Sequence, residues 1–139
     1  ETPIFNAYRS GNEAVMKYLL DRGADINEES NSGITLLSYA CSACGSEESV
    51  KFLVENGAEV NKINKYGYTA LFDACTADRD ETIVKYLVEH GADINIENME
   101  GETPIFNAYK IGNMAVVKYL VEQGADINKT DNNGNSSLL

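Results

Sequence analysis

The chain has 139 residues, and its 22 acidic side chains outnumber its 11 basic ones, which gives a net charge of −11. This balance argues against nucleic-acid binding, which needs basic patches that displace counterions, and against docking on an anionic membrane surface. No apolar run approaches the roughly 20 residues of a membrane span, and no signal peptide is visible. Three cysteines and one histidine are too few to favour a disulfide framework, a metal site or histidine-based catalysis.

A repeat organises the whole chain. The string Gly-Ala-Asp/Glu-Ile/Val-Asn begins at intervals of 34, 34 and 33 residues, at Gly23, Gly57, Gly91 and Gly124. A threonine recurs in a fixed phase at Thr2, Thr35, Thr69 and Thr103. The first three of these glycines each precede the next threonine of the column by 12 residues, whereas the gap from threonine to glycine varies between 21 and 22. The single-residue insertions of the second and third units are therefore predicted in the turn between two helices.

Each unit predicts two helices and a turn-rich loop. In the fourth unit, Thr103 is suited to cap a helix and Pro104 to its first position, where no N–H is needed. A second helix carries apolar residues at helical spacing, and Gly124 ends it as the residue after the C-cap. A helix pair cannot bury its apolar face alone, but stacked copies can. The units are expected at 1–33, 34–67, 68–101 and 102–134, with the start of a fifth at 135–139.

A lysine holds one position of every predicted second helix, at Lys17, Lys51, Lys85 and Lys118. Glutamate lies four residues before the first three of these lysines, and an acidic residue lies four residues after each. Such i,i+4 pairs are typical of a solvated outer helix and contribute only a few tenths of a kcal/mol each. Because acids flank every lysine, this column does not predict a basic binding stripe.

The repeated unit resembles the ankyrin repeat family. The resemblance rests on Gly-x-Thr-Pro-Ile at 101–105, on the recurrent Gly-Ala-Asp-Ile-Asn, and on an apolar-Val-Lys-aromatic-Leu string such as 83–87. It covers essentially the whole chain and implies an all-α ankyrin-repeat solenoid, with a helix-turn-helix and a β-hairpin-like loop in each repeat. The departures concern local stability: the family's usual histidine after Thr-Pro-Leu is replaced by Phe5, Ser38, Phe72 and Phe106, and Ser49 holds a usually apolar position.

The resemblance also implies a non-catalytic module that binds another protein on a concave face of hairpin tips and first helices. Carried over by position, the expected partner-binding residues are Ile63, Lys65, Tyr66, Tyr68, Met99, Glu100, Tyr39, Asp73, Asn107 and Ile111. Several of these are large apolar side chains in a polar setting, as in interface hot spots. The alternative for Tyr66 and Tyr68 is that they pack on neighbouring hairpins. Acidic residues near them predict a partner with an apolar centre and a basic rim.

A structural scaffold is the alternative function. The chain begins inside one unit and ends in the first turn of another, and neither end offers the polar outer face of a terminal repeat. We therefore expect a stretch of a longer array, whose uncapped ends are able to associate head to tail into an extended array or filament.

The residues that suggest a metal, redox or catalytic site also have simpler structural interpretations. Cys41 and Cys44 form a CxxC, but zinc needs four ligands, and Cys75 recurs 34 residues after Cys41 at the same helix position. His90 lies at a variable, solvent-facing helix end.

Asn128 and Asn135 match the glycosylation pattern, yet Asn128 belongs to the repeating asparagine column, which is expected to bond the hairpin backbone. The sequence thus predicts no catalytic residue, no metal and no cofactor. Free cysteines and the missing signal peptide favour a cytoplasmic location.

Overall fold

The computed structural model describes residues 2–42, 45–77 and 81–135, and these ranges contain eight helices in four consecutive pairs. The first helices of the pairs are α1 (Pro3–Arg9), α3 (Leu36–Cys41), α5 (Ala70–Thr76) and α7 (Pro104–Lys110). The second helices are α2 (Glu13–Asp21), α4 (Glu47–Glu55), α6 (Thr82–Glu89) and α8 (Met114–Glu122). Across the same ranges there is no β-strand, and none of the helices has the length and apolar character needed to cross a bilayer. Cys44 and the expected start of a fifth unit at 136–139 lie outside the described residues.

The helices stack in two rows, which makes the molecule an all-α solenoid. In the inner row α3 packs against α5 and α5 against α7, and in the outer row α4 packs against α6. Ala40, Ala74 and Ala108 hold the same position of the inner helices and are buried, so neighbouring backbones approach closely. The outer helices bury a leucine column (Leu53, Leu87, Leu120), and each such side chain contributes about 1.5–3 kcal/mol relative to exposure.

Short polar side chains begin three of the outer helices. Asn12, Ser46 and Asn113 each accept a hydrogen bond from the backbone N–H three residues later, at 3.0, 3.2 and 3.3 Å. Each cap satisfies one of the N–H groups that a helix start leaves unpaired.

The inner helices begin differently from one unit to the next. Thr35 Oγ1 accepts from the N–H of Ser38 at 3.1 Å. Thr103 is the N-cap residue of α7, as predicted, but its side chain makes no cap hydrogen bond, and the N–H of Phe106 bonds the Thr103 carbonyl at 3.0 Å. Pro104 does occupy the first turn of α7, as predicted.

Glycine ends every outer helix in the same way. At the end of α8, the N–H of Gly124 bonds the carbonyl of Val121 at 3.1 Å, and the N–H of Ala125 bonds the carbonyl of Leu120 at 2.9 Å. This pair of bonds is a Schellman motif, which needs a left-handed residue, and φ at Gly124 is +96°. The predicted role of Gly124 is confirmed.

The insertions fall between the helices of the middle pairs. Residues 10–12 and 111–113 join the helices of the first and fourth pairs, whereas 42–46 and 77–81 join those of the second and third. The extra length agrees with the sequence prediction. Residues 43–44 and 78–80 within these joints lie outside the described residues.

Two lysines of the outer helices form the predicted pairs with the preceding glutamates. Lys51 and Lys85 lie 2.8 and 3.3 Å from the carboxylate oxygens of the glutamates four residues earlier. The same two ammonium groups lie 6.0 and 5.6 Å from the ring centroids of Tyr86 and Tyr119 on the following outer helix. These exposed contacts link successive units but contribute little stability individually.

Candidate protein-binding face

A small polar residue closes each loop between helix pairs. Asn64 Oδ1 accepts from the N–H of Tyr66 at 2.9 Å and of Tyr68 at 3.0 Å, and the N–H of Asn64 bonds the Tyr68 carbonyl at 3.0 Å. Ser30, Asn98 and Asp131 close the other loops with the same pattern. This column was not predicted from the sequence, although a short polar side chain at a 33–34-residue interval is a visible signal for it.

A second polar column joins each loop to the next. Asn61 Nδ2 donates to the Gly91 carbonyl at 2.8 Å, and Asn61 Oδ1 accepts from the N–H of Asp93 at 2.8 Å. Asn27 and Asn95 make the same two bonds to the loops that follow them. The repeating asparagine was predicted to bond the hairpin backbone, and the backbone it bonds is that of the following unit.

Neighbouring loops stack closely enough to require glycine. At Gly67 φ is +85°, and a Cβ there would lie 2.9 Å from the backbone nitrogen of Met99. At Gly101 φ is +77°, and a Cβ would lie 3.0 Å from the backbone nitrogen of Asn132. The second, third and fourth loops therefore present their tips as one continuous edge.

Three large apolar side chains are exposed at the tips of the second and third loops. Ile63 is 52% exposed, Tyr66 is 51% exposed and Met99 is 71% exposed, and we call these three residues the tip patch. Lys65 Nζ lies 5.1 Å from the ring centroid of Tyr66, and the side chain of Glu100 is exposed. All five residues were expected at a partner-binding face, and the side chains of all five are exposed to solvent at the loop tips.

Tyr68 behaves differently from Tyr66. Its ring is partly buried and contacts the buried ring of Phe72 edge-on, with the centroids 5.2 Å apart. Tyr68 thus packs, but on the inner helix of its own unit and not on a neighbouring hairpin, whereas the Tyr66 ring is half exposed.

The expected positions on the inner helices are less uniform. Tyr39 is partly buried and contacts Tyr8 edge-on at 5.7 Å. Asp73 is also partly buried, and Ile111, just after α7, is 40% exposed. Asn107 is only 7% exposed, so it does not present its side chain to solvent as a partner contact would require.

The carboxyl group of Asp73 is electrostatically unusual. Burial raises its pKa to about 6, and a hydrogen bond from the Ser38 side chain opposes that rise. The charged form is thus poorly solvated although it predominates at neutral pH.

A groove opens between the first loop and the inner helices of the first two pairs. Its volume is about 370 Å³, and it is lined by Phe5, Arg9, Ser30, Asn31, Ser32, Ile34 and Tyr39. Tyr39 belongs to the expected partner-binding set. Phe5 gave no such signal because an apolar residue inside a short helix is more often core, and Phe5 is in fact buried.

Ion pairs neutralise several charges near the third and fourth loops. Lys110 Nζ lies 2.7 Å from Oε2 of the buried Glu102, whose Oε1 accepts from Asn98 Nδ2 at 3.1 Å. The hydrogen bond from Lys110 to Glu102 raises the pKa of Lys110 above its ordinary value. Lys129 and Glu97 pair at 2.8 Å across successive loops.

The remaining residues singled out from sequence lie in structural positions. Cys41 and Cys75 are buried, and burial raises the pKa of the Cys75 thiol to about 12. His90 follows α6 with its ring stacked on Tyr86 at 4.0 Å. Asn128 and Asn135 have backbone N–H groups that bond nearby aspartates in the last loop.

Together these features define a solenoid of stacked helix pairs whose loops form one continuous edge. The family model for ankyrin repeats in three copies matches residues 4–98, and the single ankyrin repeat model matches residues 100–132. The chain therefore belongs to the ankyrin repeat family. Ankyrin repeats are generally protein–protein interaction modules and are typically non-catalytic. Comparison with curated proteins finds no match.

Proposed function

We propose that the chain is a non-catalytic protein-binding module that presents a concave face of loop tips and inner helices. Its main contact is the tip patch, Ile63, Tyr66 and Met99. The observation that carries the proposal is that these side chains are 52%, 51% and 71% exposed on loops held by a network of hydrogen bonds. Apolar anchors on an ordered support lose little conformational entropy when a partner binds.

Residues around the patch define the chemistry of the partner. Lys65 and Glu100 flank the patch, and Tyr39, Asp73 and Ile111 extend it along the inner helices. The net charge of −11 favours a partner whose apolar centre is surrounded by basic residues, since opposite charges steer the encounter. Tyr68 and Asn107 are not part of the proposed face, because the first packs on Phe72 and the second is buried.

The test compares two double variants of the full chain. Tyr66→Ala with Met99→Ala removes most of the patch. Tyr18→Ala with Met114→Ala is the matched control, because those side chains are 55% and 58% exposed on the outer helices. Proteins captured from a cell extract are identified by mass spectrometry, purified and titrated calorimetrically against each variant.

We expect the patch variant to bind its partner about 10- to 100-fold more weakly, as hot-spot residues do. The control should bind like the wild type, and all three chains should unfold at similar temperatures. Equal affinity of the two double variants would exclude the patch as the binding site.

End-to-end self-association is the second candidate function. Val15 on α2 is 41% exposed, whereas Ile83 at the same position of α6 is 7% exposed. Val121 on α8 is also 43% exposed, and a second copy placed head to tail would cover both valines. Light scattering should then show a mass that grows with concentration, and a strictly monomeric species at high concentration would exclude this assembly.

A further inference from the structure

One position of the inner helices is polar in every unit. It is occupied by Asn6, Tyr39, Asp73 and Asn107, so Asp73 is the single acid of the column. Asp73 lies on α5, which packs against α3 on one side and α7 on the other. The carboxyl group is thus placed in the middle of the inner row, on the same side as the concave face proposed above.

The surroundings of Asp73 leave its carboxylate only partly satisfied. From α3, Ser38 donates one hydrogen bond, and Tyr39 holds the equivalent position. From α7, Asn107 holds the equivalent position, and the ammonium group of Lys110 is engaged by Glu102 at 2.7 Å. Just before α5, Tyr68 packs its ring on Phe72. No cation in the described part of the chain forms an ion pair with Asp73.

A carboxylate in this position gains from an added cation. It is partly withdrawn from water, its two oxygens offer about four acceptor sites, and one hydroxyl donor occupies one of them. A planar guanidinium supplies two parallel N–H groups to a carboxylate, and an ammonium supplies up to three donors.

We infer that Asp73 receives a cationic side chain, arginine in the first place, from the protein partner that docks on the concave face. The inference rests on the proposed protein-binding function and names the chemistry that this part of the face recognises. The tip patch anchors the apolar part of the partner, and Asp73 selects for a basic residue.

The inference has a defined pH dependence. The ordinary pKa of an aspartate is 3.8, and burial raises that of Asp73 to about 6. The cation binds the ionised carboxylate, so its contribution to affinity is present above about pH 6 and is lost as the pH falls through that value.

The experiment selects random short peptides, displayed on phage, against the full wild-type chain at neutral pH. Synthetic peptides from the selected pool are then titrated against the wild type, D73N and D21N. Asp21 is an exposed acid on α2, so D21N makes the same change in net charge on the outer row. Each peptide is also made with citrulline in place of arginine, which keeps the shape and removes the charge.

We expect the selected peptides to share a basic residue. D73N should weaken binding about tenfold or more, D21N should not, and citrulline should weaken binding to the wild type but not to D73N. Between about pH 7.5 and about pH 5, the wild type should lose about tenfold in affinity, and D73N should show little change.

Two results would overturn the inference, and they differ in what they say about the function. Peptides that bind without a basic residue, or that bind D73N as well as the wild type, would reject the role of Asp73 and leave the binding module in place. A wild-type chain that retains no peptide would reject the binding function together with the inference.

Discussion

The threonine that begins each inner helix makes different hydrogen bonds from one unit to the next. Thr35 Oγ1 accepts from the N–H of Ser38 at 3.1 Å. Thr69 is 1% exposed, and its Oγ1 has no hydrogen-bond partner among the described residues. The N–H of Phe72 bonds the Thr69 carbonyl at 3.1 Å instead of the Thr69 hydroxyl. A buried hydroxyl without a partner costs free energy.

This difference predicts opposite effects for one substitution at two equivalent positions. Thr35→Val should lower the free energy of unfolding by about 1 kcal/mol, because it removes a helix cap. Thr69→Val should leave the free energy of unfolding unchanged or raise it by up to about 1 kcal/mol, because it removes an unsatisfied polar group. Urea unfolding of both variants measures the difference, and an equal loss in both would contradict it.

The burial of individual side chains could not be predicted from the sequence. Tyr66 and Tyr68 are indistinguishable as aromatic residues two positions apart in a polar turn. Their burial differs because the Tyr68 ring packs on Phe72, whereas the Tyr66 ring projects from the tip. Asn107 was expected on an exposed helix side, and its burial depends on how helices from different units pack, which local spacing does not specify.

At the scale of elements, the C-terminus of α8 was easier to predict from the sequence than the start of α7. Glycine followed by alanine predicted the C-terminus of α8, because the Schellman motif needs a left-handed residue at that position. The start of α7 was predicted in part. Pro104 fits the first turn by its fixed φ, but a threonine side chain caps only if the N–H is not already bonded to the backbone.

The asparagine bridges between loops allow a matched test at this scale. Asn61→Ala removes two bonds of 2.8 Å to the following loop. We expect it to lower the free energy of unfolding by about 1–2 kcal/mol, since exposed backbone groups regain water in place of these bonds.

Asn128→Ala is the control for this test. Asn128 holds the same position of the fourth unit, and its side chain has no hydrogen bond within the described residues. Its replacement should change stability by less than about 0.5 kcal/mol, as for an ordinary surface position. Thermal or urea unfolding that shows equal effects for both variants would mean that the bridges contribute nothing to stability.

For the whole molecule, charge repulsion opposes folding. The chain carries 22 acidic and 11 basic side chains, and the ion pairs of Lys51, Lys85, Lys110 and Lys129 neutralise acids only locally. A large net charge destabilises the compact state, and salt screens that repulsion.

We therefore expect sodium chloride to raise the midpoint of thermal unfolding at neutral pH. The control is the same titration near pH 4.4, the isoelectric point, where net repulsion vanishes and the effect of salt should be much smaller. A midpoint that falls with salt at neutral pH would show that the ion pairs outweigh the repulsion.

The repeat spacing was sufficient to predict the solenoid, and the resemblance of the repeated motifs indicated its family. Four glycines at intervals of 33–34 residues and a threonine in fixed phase predict stacked helix pairs, because each pair must bury its apolar face against a neighbour. The binding face is harder to predict, since tip residues are free to vary without affecting the stack. Of the expected partner-binding residues, Ile63, Tyr66 and Met99 are at least half exposed, whereas Asn107 is buried.

The asparagine bridges also have a mechanical consequence. They join successive units by hydrogen bonds at the loop edge, and the same units are also joined by packing within the two helix rows. Widening one junction at the loop edge by about 1 Å is enough to break both of its hydrogen bonds, so curvature changes there are costly. We therefore expect the array to resist widening at the loop edge when the proposed protein partner binds.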